Sequence, residues 1–266
     1  MFRKGILYIL SVIFLTFFIS SCGEYEKVLK GGDIQAKLEK AKEYYEDGQY
    51  VRASTLFEQV IPRIKGKAEA EEVEYTQAKC YYEMKDYVMA GHYFRTFVRT
   101  YFNSQYAEEC DYMGAYCYYK LTARPELDQS NTINAINSFT LFITKFPASD
   151  KVEESLGLIT ELEEILVEKS FMTARLYYHL GKYKSAIYSV KNGISEYPDT
   201  KYREELLYLK LRSSYLYAEG SIRDKQHERY QDTVDEYYSF IDEFPDSFYK
   251  KDAEKLYNKS TEFLSK

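Results

Sequence analysis

Residues 48–60 read GQYVRASTLFEQV, and the spacing inside that stretch, Gly48-x-Tyr50-x-x-Ala53-x-x-x-Phe57-x-x-Val60, decides the fold. It recurs as Tyr87-x-x-Ala90-x-x-x-Phe94-x-x-Phe97, as Ala135-x-x-x-Phe139-x-x-Phe142 and as Gly181-x-Tyr183-x-x-Ala186-x-x-x-Val190-x-x-Gly193. A degraded copy follows as Thr233-x-x-x-Tyr237-x-x-Phe240. Steps of four and three put these side chains on one face of a helix. The small alanine lets a neighbouring helix come close, and the aromatic fills the space beside it.

Working outward, a second alanine stands twelve residues upstream of Ala53, Ala90 and Ala186, at Ala41, Ala78 and Ala174. In the third copy Ala115 lies twenty residues ahead of Ala135, which places an insertion of about eight residues between them. A tyrosine pair follows each of these upstream alanines: Tyr44-Tyr45, Tyr81-Tyr82, Tyr118-Tyr119 and Tyr177-Tyr178. Phe146-Pro147, Tyr197-Pro198 and Phe244-Pro245 close helices, since proline cannot continue one, and Ser149, Thr200 and Ser247 stand where they would cap the next. Helix–turn–helix units at this period resemble the tetratricopeptide repeat. The expected fold is therefore all-α: a right-handed α-solenoid of about five tetratricopeptide repeats, closed by a capping helix near Lys251–Leu264. Two loops are expected to be long, 121–132 in repeat three and 220–228 in repeat five. Between Ser149 and Leu180 no proline interrupts a helical pattern, which predicts one extended helix leading into repeat four.

The first residues tell a different story. Arg3 and Lys4 precede Ile6–Ile19, fourteen residues broken only by Ser11 and Thr16. That run is shorter than the ~20 residues a membrane span needs and fits a signal peptide. It ends Ile19-Ser20-Ser21-Cys22, which resembles a bacterial lipobox with Cys22 as the lipidated first residue. The expected domain plan is 1–21 signal peptide, 22–33 lipidated linker, 34–148 repeats one to three, and 149–266 the long helix, repeats four and five and the capping helix. Gly23 rather than Asp after the cysteine fits the sorting rule for the outer membrane, and the lack of an acidic run there leans to its periplasmic face.

Composition excludes several classes. Glycine (12) and proline (5) are scarce, which argues against loop-rich β, collagen-like or disordered chains. Without Arg3 and Lys4 the chain carries 34 basic against 42 acidic residues, so no basic face serves nucleic acid. Cys80, Cys110 and Cys117 are an odd set, and Cys80 and Cys117 hold equivalent repeat positions. Helices pack ~8–10 Å apart, beyond disulfide reach, so all three read as buried thiols. His92, His179 and His227 lack ligand partners at metal spacing, and no phosphate loop, nucleophile elbow or His-Glu-x-x-His motif occurs. The glutamate pairs Glu71-Glu72, Glu153-Glu154 and Glu204-Glu205 fall at predicted helix starts, where they favour the helix dipole. No catalytic residue, metal or cofactor is expected.

Candidate binding residues come from two places. The second tyrosine of each pair (Tyr45, Tyr82, Tyr119, Tyr178) either faces a groove or shares the core with the first, because the usual apolar places near each helix start are polar (Lys37, Glu74, Asp111). Tyr45, Tyr75, Tyr82 and Tyr119 are the candidates for a substrate groove, since a tyrosine ring offers wide contact at low entropy cost. The insertion Arg124-Pro125-Glu126-Leu127-Asp128-Gln129-Ser130 is either a long turn, capped by Asp128 or Ser130, or a contact loop on a binding face.

The lipobox, the five repeats, the Leu127-Asp128-Gln129-Ser130 segment, Phe146-Pro147, the long helix, and the run through Glu168, Ala174, Tyr177-Tyr178, Gly181, Tyr183, Ala186 and Tyr197-Pro198-Asp199-Thr200 together resemble the BamD family of outer-membrane assembly lipoproteins. The resemblance implies a non-catalytic scaffold held at the outer membrane by its lipid anchor. It implies binding to the periplasmic domains of a BamA-like barrel subunit through the later repeats and to unfolded outer-membrane proteins through the earlier ones. Asp128, Gln129, Ser130, Tyr177 and Tyr178 are the partner-binding candidates. Family members carry an arginine where this chain has Ser189, and the tyrosine content departs from proteobacterial members. A periplasmic organiser of peptidoglycan and cell-envelope proteins is the alternative.

Overall fold

A computed structural model describes residues 23–266; Cys22 and the signal segment lie outside them. Helices follow in the order α1 (Ile34–Glu46), α2 (Tyr50–Ile64), α3 (Ala70–Glu83), α4 (Tyr87–Thr100), α5 (Ala107–Lys120), α6 (Ser130–Lys145), α7 (Val152–His179), α8 (Tyr183–Glu196), α9 (Arg203–Glu219), α10 (Arg223–Glu243) and α11 (Lys250–Leu264). Residues 23–30 are helical too. Among the described residues no strand occurs, and no helix is long and apolar enough to cross a membrane. The helices form two compact units, one from residues 23–122 and 130–159, the other from 123–129 and 160–266. The division falls inside α7 rather than at 148/149, and it assigns the repeat-three insertion to the second unit.

Each helix begins where its sequence allows. The Asp33 carboxylate accepts from the backbone N–H of Gln35 (2.9 Å) and Ala36 (3.2 Å), and Asp86 accepts from that of Met89 (3.1 Å). Paired glutamates occupy the first turns of α3, α5, α7 and α9. Ser149, Thr200 and Ser247 do not cap these helices directly. Their hydroxyls accept from N–H groups two residues on (3.1, 3.2 and 3.0 Å), closing the turn that leads into the helix. The α-hairpin turn needs one left-handed residue. Gly48 (φ 73°) and Gly181 (φ 68°) supply it in repeats one and four, whereas Lys85 (φ 61°) adopts it in repeat two.

The repeat residues make the core. Ala41, Ala53, Ala78, Ala90, Ala135, Ala174 and Ala186 are fully buried, as are Phe57, Phe94, Phe139, Phe142 and Phe240. Each such phenylalanine contributes on the order of 1.5–3 kcal/mol by burial. The polar residues at the apolar places are satisfied. The buried Lys37 ammonium donates to the Leu29 carbonyl (3.0 Å) and to Gln59 (2.5 Å), Glu74 accepts from the Tyr101 hydroxyl (2.8 Å), and Asp111 pairs with Lys145 (2.8 Å).

A series of aromatic stacks joins one repeat to the next. In three repeats the residue three before a buried core position of the first helix (Ala78, Ala174 and Leu211) meets the residue just before the next such helix. Tyr75 stacks on Tyr106 (4.3 Å), Phe171 on Tyr202 (4.1 Å) and Tyr208 on Tyr249 (4.1 Å). At the junction of repeats three and four Lys151 replaces the ring, its ammonium 5.4 Å from the Tyr112 centroid, and at that of repeats one and two the equivalent residues are Leu38 and Glu69. Much of the unusual tyrosine content is therefore structural.

One further expectation needs correction. Residues 223–228 belong to α10, so the extra length in repeat five extends a helix and the loop is confined to 220–222. Within the expected linker, residues 23–30 are helical and pack Tyr25, Val28 and Leu29 against α1 and α2. Cys80, Cys110 and Cys117 are free and buried, as expected, and burial pushes the Cys80 and Cys117 thiols up to about 12.

Candidate functional site

In the second unit the insertion loop folds against α7, and two side chains fix its shape. The Lys169 ammonium, projecting from α7, donates to the carbonyls of Pro125 (3.2 Å) and Leu127 (2.6 Å). Gln129 is buried, and its amide donates to the carbonyls of Arg124 (2.7 Å), Leu127 (3.2 Å) and Ala123 (3.4 Å). Within the loop, the Leu127 N–H donates to the Arg124 carbonyl (3.0 Å). The carbonyls of a short, irregular segment are thus satisfied from two sides, which a solvated turn would not require. Glu126, Leu127 and Asp128 are turned outward, an exposed leucine between two carboxylates.

Beside the loop runs a groove of about 470 Å³, lined by Pro125 and Glu126 on one side and by Lys169, Met172, Leu176 and His179 among the α7 residues on the other. Leu176 is exposed, as are Tyr177 and Leu180 at the end of the helix. The Arg175 guanidinium lies 5.3 Å from the Phe171 ring centroid and faces the same groove. The arrangement is an apolar floor with a cationic rim next to an acidic knob. Such a surface suits a protein partner, because apolar contact supplies affinity and opposed charges fix orientation.

The partner-binding candidates therefore separate. Asp128 and Ser130 are exposed on or beside the loop, and Tyr177 is exposed near the end of α7 but does not line the groove. Gln129 faces inward and shapes the loop rather than touching solvent. Tyr178 is half-buried between the Arg212 guanidinium (5.3 Å) and the Tyr183 ring (6.0 Å). Sequence reasoning missed Lys169, Arg175 and Leu176. Their spacing on the long helix was visible, but nothing in it said which face the loop would cover.

In the first unit the groove tyrosines behave differently from one another. Tyr75 is a core residue at 9 % exposure, sandwiched by Tyr106 and Phe97, and is unsuited to direct substrate contact. Tyr45 and Tyr82 are half-buried and lie edge-on to the first residues of α2 and α4, Tyr50 (5.7 Å) and Tyr87 (5.6 Å). Burial pushes both phenols up to about 12, so each hydroxyl stays a donor. Tyr119 lies 5.4 Å from Tyr116. Tyr45 and Tyr82 thus brace their hairpin turns with one edge while the other remains accessible. The first tyrosines pack between helices at Tyr44, but Tyr177 is 38 % exposed. Among the described residues no group of three His, Cys, Asp or Glu side chains is placed to hold a metal.

Stacked α-hairpins with alanine–aromatic interfaces define a helical-repeat protein of the tetratricopeptide class. A family model described as YfiO, outer membrane lipoprotein, matches residues 33–219 and again 177–266, and the chain belongs to that family. Among solved structures it is similar to the TPR2AB domain of yeast Sti1 in complex with pHSP90, at 14 % identity over 86 % of this chain and 98 % of that one, with a TM-score of 0.39. It is also similar to a repeat protein of Bacteroides fragilis (12 % identity, 88 % and 100 % covered, TM-score 0.37) and one of Parabacteroides merdae (13 %, 87 % and 100 %, 0.37). No curated protein matches the chain.

Proposed function

We propose that the chain is a BamD-like, non-catalytic scaffold of outer-membrane β-barrel assembly, lipidated at Cys22 and held at the periplasmic face of the membrane. It binds the periplasmic domains of a BamA-like barrel subunit through the later repeats and unfolded outer-membrane proteins through the earlier ones. Membership of an outer-membrane lipoprotein family supports the address. The observation that carries the binding role is the insertion loop itself, clamped by Lys169 and Gln129 so that Glu126, Leu127 and Asp128 project beside the α7 groove. A loop fixed in this way loses little entropy when a partner docks. An anchored domain that holds an extended chain near the assembly site raises its effective concentration there.

Purification of the tagged, full-length protein from detergent-solubilised membranes tests the reading. A barrel protein with periplasmic domains should co-purify, and the double variant Leu127→Ser/Leu176→Ser should reduce its yield at least about tenfold, as loss of two apolar anchors implies. Recovery of cell-wall synthases in its place would support the envelope-organiser alternative and refute the assembly role.

A further inference from the structure

The lead-in helix at residues 23–30 is tied to repeat one from several directions. Tyr25 lies edge-on to Tyr44 (5.7 Å), and the Arg52 guanidinium stands over both rings (5.2 and 5.6 Å). Glu24 pairs with Lys40 (2.9 Å), and the Leu29 carbonyl accepts from the buried Lys37 ammonium (3.0 Å). Residues 24 and 25 thus meet positions 40–44 of α1 while residue 29 meets position 37. The lead-in helix runs antiparallel to α1, and its amino end points toward the α1–α2 turn at Asp47-Gly48-Gln49.

We propose that this helix is a rigid lipid mount, and that it holds the edge of the first unit formed by the α1–α2 and α3–α4 turns against the phospholipid surface. The proposal rests on the reading that Cys22 is acylated. In the sequence Cys22 immediately precedes Gly23, the first residue of the lead-in helix. Almost no slack separates the acyl chains from a packed helix. That edge also carries two exposed aliphatic side chains at equivalent positions, Val51 (66 %) and Val88 (62 %), each in the first turn of a second helix. Its charges are mixed, with Glu46, Asp47, Glu83 and Asp86 beside Lys85, so the lipid supplies the affinity and the mount supplies the orientation. The opposite edge, at the α2–α3 and α4–α5 turns, carries Lys65 and Phe102 and is held away from the bilayer.

Fluorophores placed by Val51→Cys, Val88→Cys, Lys65→Cys and Phe102→Cys test this in the full-length protein. The native Cys80, Cys110 and Cys117 are at most 1 % exposed and leave the labelling selective. The lipoprotein is reconstituted in vesicles of phosphatidylethanolamine and phosphatidylglycerol that contain a brominated lipid quencher. Quenching should be at least about twofold stronger at 51 and 88 than at 65 and 102. A flexible Gly-Ser insert of about twelve residues after Gly23, with an end-to-end reach of about 19 Å, should abolish the difference while leaving the protein bound. Bound protein with equal quenching at all four sites, or stronger quenching at 65 and 102, would overturn the mount. Failure of the lipidation reading looks different: intact mass would show no acyl chains and the protein would not stay with the vesicles.

Discussion

Replacing Lys169 with methionine keeps the length and helix propensity of the side chain and removes only its ammonium group. That group makes two charge-assisted hydrogen bonds to loop carbonyls, at 2.6 and 3.2 Å. Such bonds are worth roughly 1.5–3 kcal/mol each when buried; this ammonium is half-exposed and one bond is long, so about 2 kcal/mol for the pair is a reasonable figure. About 2 kcal/mol raises the fraction of open loop about thirtyfold. The Leu127 amide reports on it directly, since it is bonded to Arg124 within the loop. Amide hydrogen exchange should therefore quicken about thirtyfold at Leu127 in Lys169→Met, with no change at amides in the middle of α9. Yield of the co-purified partner should fall in the same variant. Unchanged exchange at Leu127 would show that Lys169 does not hold the loop and would remove the physical basis for calling it a presented surface.

The aromatic junctions predict a graded mutant series. Tyr249→Ala should cost about 2 kcal/mol in urea unfolding through loss of the Tyr208 stack and its buried area, whereas Lys151→Ala, which loses an exposed cation–π contact, should shift the midpoint far less. Lys85→Gly should stabilise by up to about 1 kcal/mol, because lysine is held at φ 61°, and Gly48→Ala should destabilise by about the same amount. Alkaline pH should unfold the chain readily. Burial raises the phenols of Tyr45, Tyr82, Tyr101 and Tyr215 to about 12, and the folded state therefore keeps protons that an unfolded chain releases near pH 10. Stability from these groups is complete below about pH 10 and is lost as pH rises toward 12. Absorbance at the tyrosinate band should lag a free-tyrosine titration and then rise together with loss of helical circular dichroism; a simple titration with the helices intact would contradict it.

Repeat number, the long helix and the closing helix were legible because alanine and aromatic residues recur at helical spacing, and that spacing reports on packing directly. Residues 220–228 were not, because Arg223–Glu228 is polar enough to read as a loop and becomes helical as the start of α10. The tyrosines show the same limit. Tyr75 and Tyr45 look alike in sequence, yet Tyr75 is closed in by Tyr106 from the next repeat while Tyr45 keeps one edge accessible. Which partner a ring meets depends on residues about thirty positions away. Gly193 is a further case: it stands where other repeats place an aromatic or valine, and a Cβ there would lie 2.5 Å from the Ser170 hydroxyl, a close approach of α7 and α8 that no local pattern encodes. The loop insertion was found by counting, but Gln129 as its inner brace and Lys169 as its clamp required the fold.

Photoreactive residues placed at Asp128 and Tyr177 in living cells test the central reading most directly, since Asp128 is exposed on the clamped loop and Tyr177 near the end of the helix that clamps it. Light-dependent adducts with a barrel protein that carries periplasmic domains, absent when the label sits at Lys65 of the first unit, are the predicted result. Adducts formed solely with peptidoglycan enzymes would contradict the account.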